Sequence, residues 1–472
     1  MAEPAPITDV YGAADNYHVV IVGGGMVGAS LALQLSESMG QKVDILVVER
    51  FPLTAKTLGE NSDPGQADAS YNPSFDARST ALSYGSRKIL ESLGVWPELK
   101  KHLSPIKKIH VSDRGGLGSA TLHAAQVGWS SLGYVVENAW MGDVLMAALR
   151  QKPNVKFCAP ASVSSIVPRK CGVDVVIREN LGQQGEESSG RLKTVHAQLA
   201  VVADGASSTM RNFLGIDIAV SDYKQTAVIA NVSFRDSHNG TAYERFTDKG
   251  PMALLPLTPS ESGESRSALV WTMDNDRAQR LCECASEEFL QQLQLCFGHR
   301  QGEFIRVGDR FNYPLRLIEA KEQVRSGIVV MGNAAHSMHP VAGQGFNLAL
   351  RDCARLVETL KEAFYSSQPL GELTLLQEYI ELQQFDQKKT VLFSDRVTAL
   401  FSNKQWSLSL LRKLGLGVVD VSPAVKRFFI AHAAGMHDGA AGVTSGSVIG
   451  ASSSADKGDT SFLTASGRVD NG

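Results

Sequence analysis

Tyr17-His18-Val19-Val20-Ile21-Val22-Gly23-Gly24-Gly25-Met26-Val27-Gly28 decides the fold. Residues 17–22 form an apolar run of the kind a buried parallel strand requires. A glycine loop follows at 23–28, then an apolar, glycine-poor helix over 29–38, then a second apolar strand over 43–48 that ends at Glu49. Strand, loop, helix and strand make a βαβ unit. In Gly23-x-Gly25-x-x-Gly28 the first glycine permits the tight turn and the second lets backbone approach a pyrophosphate. The third lets the helix pack on the strand. Glu49 lies 21 residues after Gly28, where a carboxylate can accept hydrogen bonds from ribose hydroxyls. NAD and FAD share this arrangement, so the motif alone leaves the dinucleotide open.

About 300 residues further on, an apolar strand over 328–331 runs into Gly332-Asn333-Ala334-Ala335-His336, then Pro340, then Gly343-Gln344-Gly345-Phe346-Asn347 and a helix. That order brings free backbone N–H groups and a helix N-terminus to one point, which suits an anionic or electron-rich group. Two glycine loops so far apart, serving one ligand, imply a large cofactor. Asp204-Gly205 ends another buried strand, 198–202; alone, an Asp-Gly is usually a turn. His336 and His339 form an H-x-x-H without an evident third ligand, and Pro340 follows directly, so they read as loop histidines and no metal site is expected. Arg78 fits a surface arginine or a phosphate ligand equally well.

The 472 residues suffice for two domains, and a formal charge of −3 gives no reason to expect a nucleic-acid partner. Six scattered cysteines include no C-x-x-C, and Cys282-x-Cys284 lacks the paired spacing of zinc sites, so reduced thiols in a cytoplasm are expected. No lysine or arginine precedes Lys42, which argues against a secretory signal or a transit peptide. No apolar run approaches the roughly 18 residues of a spanning helix. A soluble protein, or one held on a membrane surface, is expected.

Residues 1–16 read as a loose leader and 54–74 as an exposed loop. Between 218 and 310 the character changes to antiparallel strands, at 226–234, 242–246, 252–256 and 267–273. Residues 109–113 and 119–124 read as a hairpin of the same sheet. The expected organisation is a discontinuous Rossmann-like domain (17–106, 130–217, 311–365) with an inserted antiparallel-sheet substrate domain (107–129, 218–310). C-terminal helices follow over 366–435, the last opened by Ser422-Pro423, and then a disordered tail over 436–472.

Together, the βαβ loop with Glu49, the Arg78 segment, Ala203-Asp204-Gly205 and the 332–347 line resemble the single-component aromatic flavoprotein monooxygenases. Within them, residues 339–347 closed by Arg351-Asp352 are similar to the signature of the ubiquinone-biosynthesis hydroxylases. His110-Val-Ser-Asp-Arg-Gly115, Ile229-Ala-Asn-Val232, Glu244-Arg-Phe-Thr247, Gly250-Pro-Met-Ala-Leu-Leu-Pro256 and Ala268-Leu-Val-Trp271 resemble the branch acting on 2-polyprenyl-6-methoxyphenol. The resemblance spans about residues 17 to 435. Two positions depart from the family at large: Asn333 stands where Asp is common, keeping an acceptor oxygen without the charge, and Ala349 where glycine is common.

The resemblance implies a p-hydroxybenzoate-hydroxylase-like α/β fold with FAD as cofactor. Gly23, Gly25 and Gly28 would hold the pyrophosphate, Glu49 the adenosine ribose, and Arg78 a phosphate. Asp204 and Gly205 would lie along the extended cofactor, Asn333 would contact the ribityl chain, and Gly343, Gln344, Gly345 and Asn347 would back the isoalloxazine. It implies reduction of FAD by transient NAD(P)H or another donor, capture of O₂, and transfer of one oxygen to a polyprenylphenol. No catalytic base is identified. The mixed apolar and basic stretch 406–434 suits a membrane surface, a partner from the same biosynthesis, or simple packing on the domain. A cytoplasmic protein, peripheral on the inner face of the cell membrane, is the expected location. Two alternatives stay open: a hydroxylase of the same fold acting at another ring position or on a soluble aromatic, and a non-catalytic flavoprotein scaffold.

Overall fold

Apolar strands too hydrophobic to face water on either side form the centre of the molecule. The computed structural model describes residues 16–53, 78–114, 119–179, 191–247, 250–260, 262–338 and 344–402, with side chains to residue 392. The expectations for 54–74, for 406–434 and for the tail lie outside these residues.

The first sheet runs in the order Val324–Arg325, Ile328–Val330, Leu192–Val202, Asn16–Val22, Ile45–Val48, Val155–Cys158. From Ile328–Val330 to Val155–Cys158 every pairing is parallel. Val19, Val20, Ile21, Val201 and Val329 have no exposed surface, which explains why these strands read as unbroken apolar runs. Each such side chain contributes about 1.5–3 kcal/mol by burial. On one face, the helices Met26–Met39 and Gln344–Tyr365 place Ala29, Leu33, Leu350, Leu356 and Leu360 against Val19, Ile21 and Val201. On the other, Val20, Val22 and Val202 meet Val163, Ile166 and Val175 of a hairpin, Ala161–Arg169 with Gly172–Glu179, that sequence reasoning did not anticipate.

The second sheet has eight strands, ordered His336–Ser337, Phe304–Ala320, Ile218–Phe234, Ser265–Met273, Gly250–Leu257, Thr241–Thr247, Lys108–Asp113, Ser119–His123. All its pairings are antiparallel except Thr241–Thr247 with Lys108–Asp113. The hairpin read at 109–124 does join this sheet, with Ile109 opposite Leu122. Two helices, Asn275–Glu283 and Ser286–Phe297, cover one face, packing Ala278, Leu281, Phe289 and Leu293 on Val228, Leu254 and Trp271. They lie after the last strand read from the sequence, 267–273, at residues for which no element was expected. Asp274 caps the first of them by accepting a hydrogen bond from the Arg277 amide at 3.0 Å. The opposite face packs Ala242, Leu257 and Ala268 on Ile106 and Val135 of a three-stranded sheet (Ser79–Ser83, Leu103–Ile106, Gly133–Glu137).

Phe304–Ala320 runs unbroken through residue 310, and Ile318 pairs with Ser337. The second sheet therefore ends on the same turn that terminates the Ile328–Val330 strand of the first.

Candidate functional site

Parallel strands put their carboxyl ends on one edge, and that edge gathers most of the singled-out residues. In strand order, Glu49 follows Ile45–Val48, Gly23 follows Asn16–Val22, Asp204 follows Leu192–Val202, and Gly332–Asn333 follow Ile328–Val330. With strands about 4.8 Å apart, three intervals spread these groups over roughly 14 Å.

At the glycine loop, Gly23 has φ +102°, and a Cβ there would lie 2.6 Å from the carbonyl oxygen of Ala203. At Gly28 it would lie 1.9 Å from the Gly23 carbonyl oxygen, so helix and strand touch there as the spacing predicts. Gly25 opens the helix Met26–Met39, with no side-chain cap and no acidic residue in the first turn. Its first amides are left for a ligand.

Gly24 is a residue the motif reading missed. Its amide donates to Glu49 Oε2 at 2.6 Å, and the Phe51 amide donates to Oε1 at 3.0 Å. A Cβ on Gly24 would lie 3.2 Å from Glu49 Cβ and Oε2. The middle glycine of the Gly23-Gly24-Gly25 run was the available signal. Burial pushes the Glu49 carboxyl above its ordinary value, against the pull of the Phe51, Gly24 and Arg50 amides. A carboxylate's two oxygens together offer about four lone-pair sites, so acceptor capacity remains beyond these amides.

Asp204 Oδ2 accepts from the Met210 amide at 3.2 Å, while Oδ1 is buried with no hydrogen-bond partner among the described residues. Gly205 has φ +92° with open space where a Cβ would project. Arg211, 2 % exposed, donates to the carbonyls of Ala334 at 2.9 Å and Ala206 at 3.1 Å. It ties the Asp204 loop to the Asn333 turn across a separation no spacing rule could reveal. Gly332, at φ +60°, sets that turn on Val27 of the glycine-loop helix, and Asn333 is exposed.

Beyond the turn, Gly343 lies outside the described residues. Gln344 begins the helix and is buried, and Gly345 faces open space. Asn347 points to the three-stranded sheet. Its Oδ1 accepts from the Ser83 amide at 2.9 Å and from Ser86 Oγ at 2.7 Å, and its Nδ2 donates to the Ala81 carbonyl at 2.8 Å. The side chain thus pins the helix to the strand that Arg78 precedes. The Arg78 guanidinium lies 5.0 Å over the Tyr313 ring of the second sheet.

His336 was read as a loop histidine; it is 3 % exposed and its Nε2 lies 2.8 Å from Asp352 Oδ2. Gln383 donates to Asp352 Oδ1, and Gln387 to Oδ2 at 3.3 Å, both from the helix Leu373–Ser402. Burial alone would lower the imidazole pKa, but the hydrogen bond and charge of Asp352 outweigh it and hold it above the ordinary value.

An uncapped helix start in a glycine cradle, a buried acceptor without a donor at Asp204 and an exposed carboxamide at Asn333 suit a long, polyhydroxylated, doubly phosphorylated ligand. Fold and edge together define an FAD-type dinucleotide-binding α/β protein carrying a second, mostly antiparallel sheet. Residues 16–370 match the FAD binding domain family, and the chain belongs to it.

The chain is 35 % identical over 434 residues to the ubiquinone hydroxylase UbiL of Rhodospirillum rubrum, covering 92 % of this chain and 93 % of that one. It is 28 % identical over 419 residues to the 3-demethoxyubiquinol 3-hydroxylase of Escherichia coli, covering 89 % and 98 %. Its fold is similar to that of p-nitrophenol 4-monooxygenase PnpA from Pseudomonas putida (TM-score 0.68, 18 % identity, 88 % and 97 % covered). FAD is its cofactor, and the chain is an FAD-dependent monooxygenase. Among the described residues, no helix is long and apolar enough to cross a membrane.

Proposed function

We propose that this chain hydroxylates the aromatic ring of a polyprenylated phenol in ubiquinone biosynthesis, with 2-polyprenyl-6-methoxyphenol as the first substrate to test. Bound FAD supplies reduction by NAD(P)H or another donor and the activation of O₂ for oxygen transfer. The observation that carries the residue assignments is the order of groups along the strand-end edge. A carboxylate, a glycine cradle, a second carboxylate and a carboxamide stand in the sequence that ribose, pyrophosphate and ribityl chain present.

In this reading Glu49 accepts from the adenosine ribose and Gly23, Gly25 and Gly28 admit the pyrophosphate. Asp204, through its unpaired Oδ1, and Gly205 lie along the polyol, and Asn333 holds the ribityl chain. Gln344 and Gly345 bring helix amides to the ring end, and Gly343 is assigned to the same contact from the sequence alone. Asn347 acts one step back, fixing that helix start against Ser83 and Ala81. Arg78, stacked on Tyr313, serves where the cofactor-binding part meets the second sheet. We assign residues 107–129 and 218–310 to the substrate side, as the sheet built there shares the Asn333 turn with the cofactor edge. The lipid nature of the substrate places the enzyme on the inner face of the cell membrane, beside other proteins of the same biosynthesis.

The test uses purified protein loaded with FAD. NAD(P)H oxidation should rise on adding a prenylphenol, and mass spectrometry should find one oxygen added to it. Turnover on simple phenols only would move the substrate to a soluble aromatic. Flavin uptake without aromatic-stimulated oxygen consumption would leave a scaffold. Deleting the gene and identifying the precursor that accumulates fixes the ring position.

A further inference from the structure

One cross-strand row runs across six strands of the second sheet. Strand register lines up Val111, Glu244, Ala253, Val270, Ile229 and Phe311 across six strands. Alternation along each strand puts this row on the face of Ala242, Leu257 and Ala268, opposite the two covering helices. Where that face meets Ile106 and Val135 it is buried, yet all six residues of the row are only half-buried. Five are apolar. Glu244, flanked by Val111 and Ala253, is the exception.

Glu244 has no hydrogen-bond or ion-pair partner among the described residues, which is costly for a carboxylate in apolar surroundings. We propose that Glu244 is the polar anchor of an apolar ligand slot formed by this row, and that it hydrogen-bonds the phenolic oxygen of the substrate. An apolar lining with one placed polar group is the usual build of a small-molecule site. It matches an aromatic ring that carries a hydroxyl and greasy substituents. Burial, with nothing opposing it, pushes the Glu244 carboxyl upward and favours the protonated form, which can both donate to and accept from a phenol. Anchoring one ring oxygen fixes which ring carbon is presented for attack, so the residue sets specificity by position.

The proposal rests on the hydroxylase reading, and its test keeps the two apart. FAD-loaded wild type, Glu244→Gln and Glu244→Leu are compared by equilibrium dialysis with a 2-prenylphenol and its O-methyl ether, then by KM, kcat and product analysis. Glu244→Leu should bind the phenol about tenfold more weakly, lose less on the ether, which accepts but cannot donate, and spread oxygen over more than one ring position. Glu244→Gln, neutral and able to donate and accept, should stay within about twofold of wild type. Equal phenol binding by wild type and Glu244→Leu, or equal losses for phenol and ether, overturns the anchor while the hydroxylase reading stands. A wild type that neither binds nor turns over the prenylphenol overturns both.

Discussion

Single atoms decide much of this site. A methyl group at Gly28 would sit 1.9 Å from the Gly23 carbonyl oxygen, and both atoms are held by backbone that cannot swing aside. Gly28→Ala should therefore destabilise the protein by about 1–3 kcal/mol, as overpacking does, and the purified variant should lose its yellow colour. Retention of full FAD absorbance would contradict the close helix–strand contact.

At His336 the buried pairing with Asp352 raises the folded-state imidazole pKa above its ordinary 6.5. A group raised on folding stabilises fully below its unfolded pKa and loses that contribution as pH climbs through the folded value. His336→Ala, which strips a buried ion pair of one partner, should cost about 3–5 kcal/mol near pH 6. The melting-temperature gap between wild type and variant should narrow as pH rises above 6.5 and through the raised folded value. A gap that does not change with pH would mean that folding leaves the imidazole pKa where it is in the unfolded chain, and a gap that widens as pH rises would mean the imidazole is held neutral.

Whole elements are steered by side chains far from them in sequence. Asn347 joins the helix Gln344–Tyr365 to Ser83, Ser86 and Ala81, so three hydrogen bonds orient the helix start. Asn347→Ala leaves the buried Ser83 amide and Ser86 hydroxyl seeking partners, at a cost of about 1–3 kcal/mol each. FAD affinity should fall with them, measured by fluorescence titration, while Asn347→Asp should retain more of it because it keeps the acceptor for Ser83 and Ser86. This contact also marks the limit of reading the sequence. The βαβ unit was legible because buried parallel strands leave an apolar run and a glycine loop leaves spacing. The hairpin at 109–124 and the strands around 226–273 were legible through alternation and turn residues. The Ala161–Glu179 hairpin and the two helices after Asp274 were not, since short amphipathic segments inside a strand-rich region give mixed periodicity. Asn347 with Ser83, Arg211 with Ala334, and Asp352 with Gln383 lie beyond any local pattern. Only folding brings them together.

At the scale of the molecule, the cofactor edge is assembled from chain segments near residues 23–49, 204–205, 332–338 and 344–347 that meet only in the folded state. A ligand spanning them binds the native protein and not the unfolded chain, so it stabilises the whole by mass action. At FAD concentrations about a hundredfold above Kd this amounts to ~2.7 kcal/mol. For chains longer than about 200 residues that is an increase of several degrees in Tm, on the order of 2–4 °C per kcal/mol or somewhat less. Adenosine diphosphate, which reaches only the Glu49 and glycine-loop end, should give a smaller shift than FAD, since the Asp204 and Asn333 end stays unbridged. Asp204→Ala tests the same logic from the protein side. It removes the unpaired Oδ1 and the Met210 contact, so the FAD-induced shift should shrink toward that of the adenine nucleotide, whose own shift should hardly change. Equal shifts for FAD and adenosine diphosphate in the wild type would mean that the two halves of the edge do not serve one ligand.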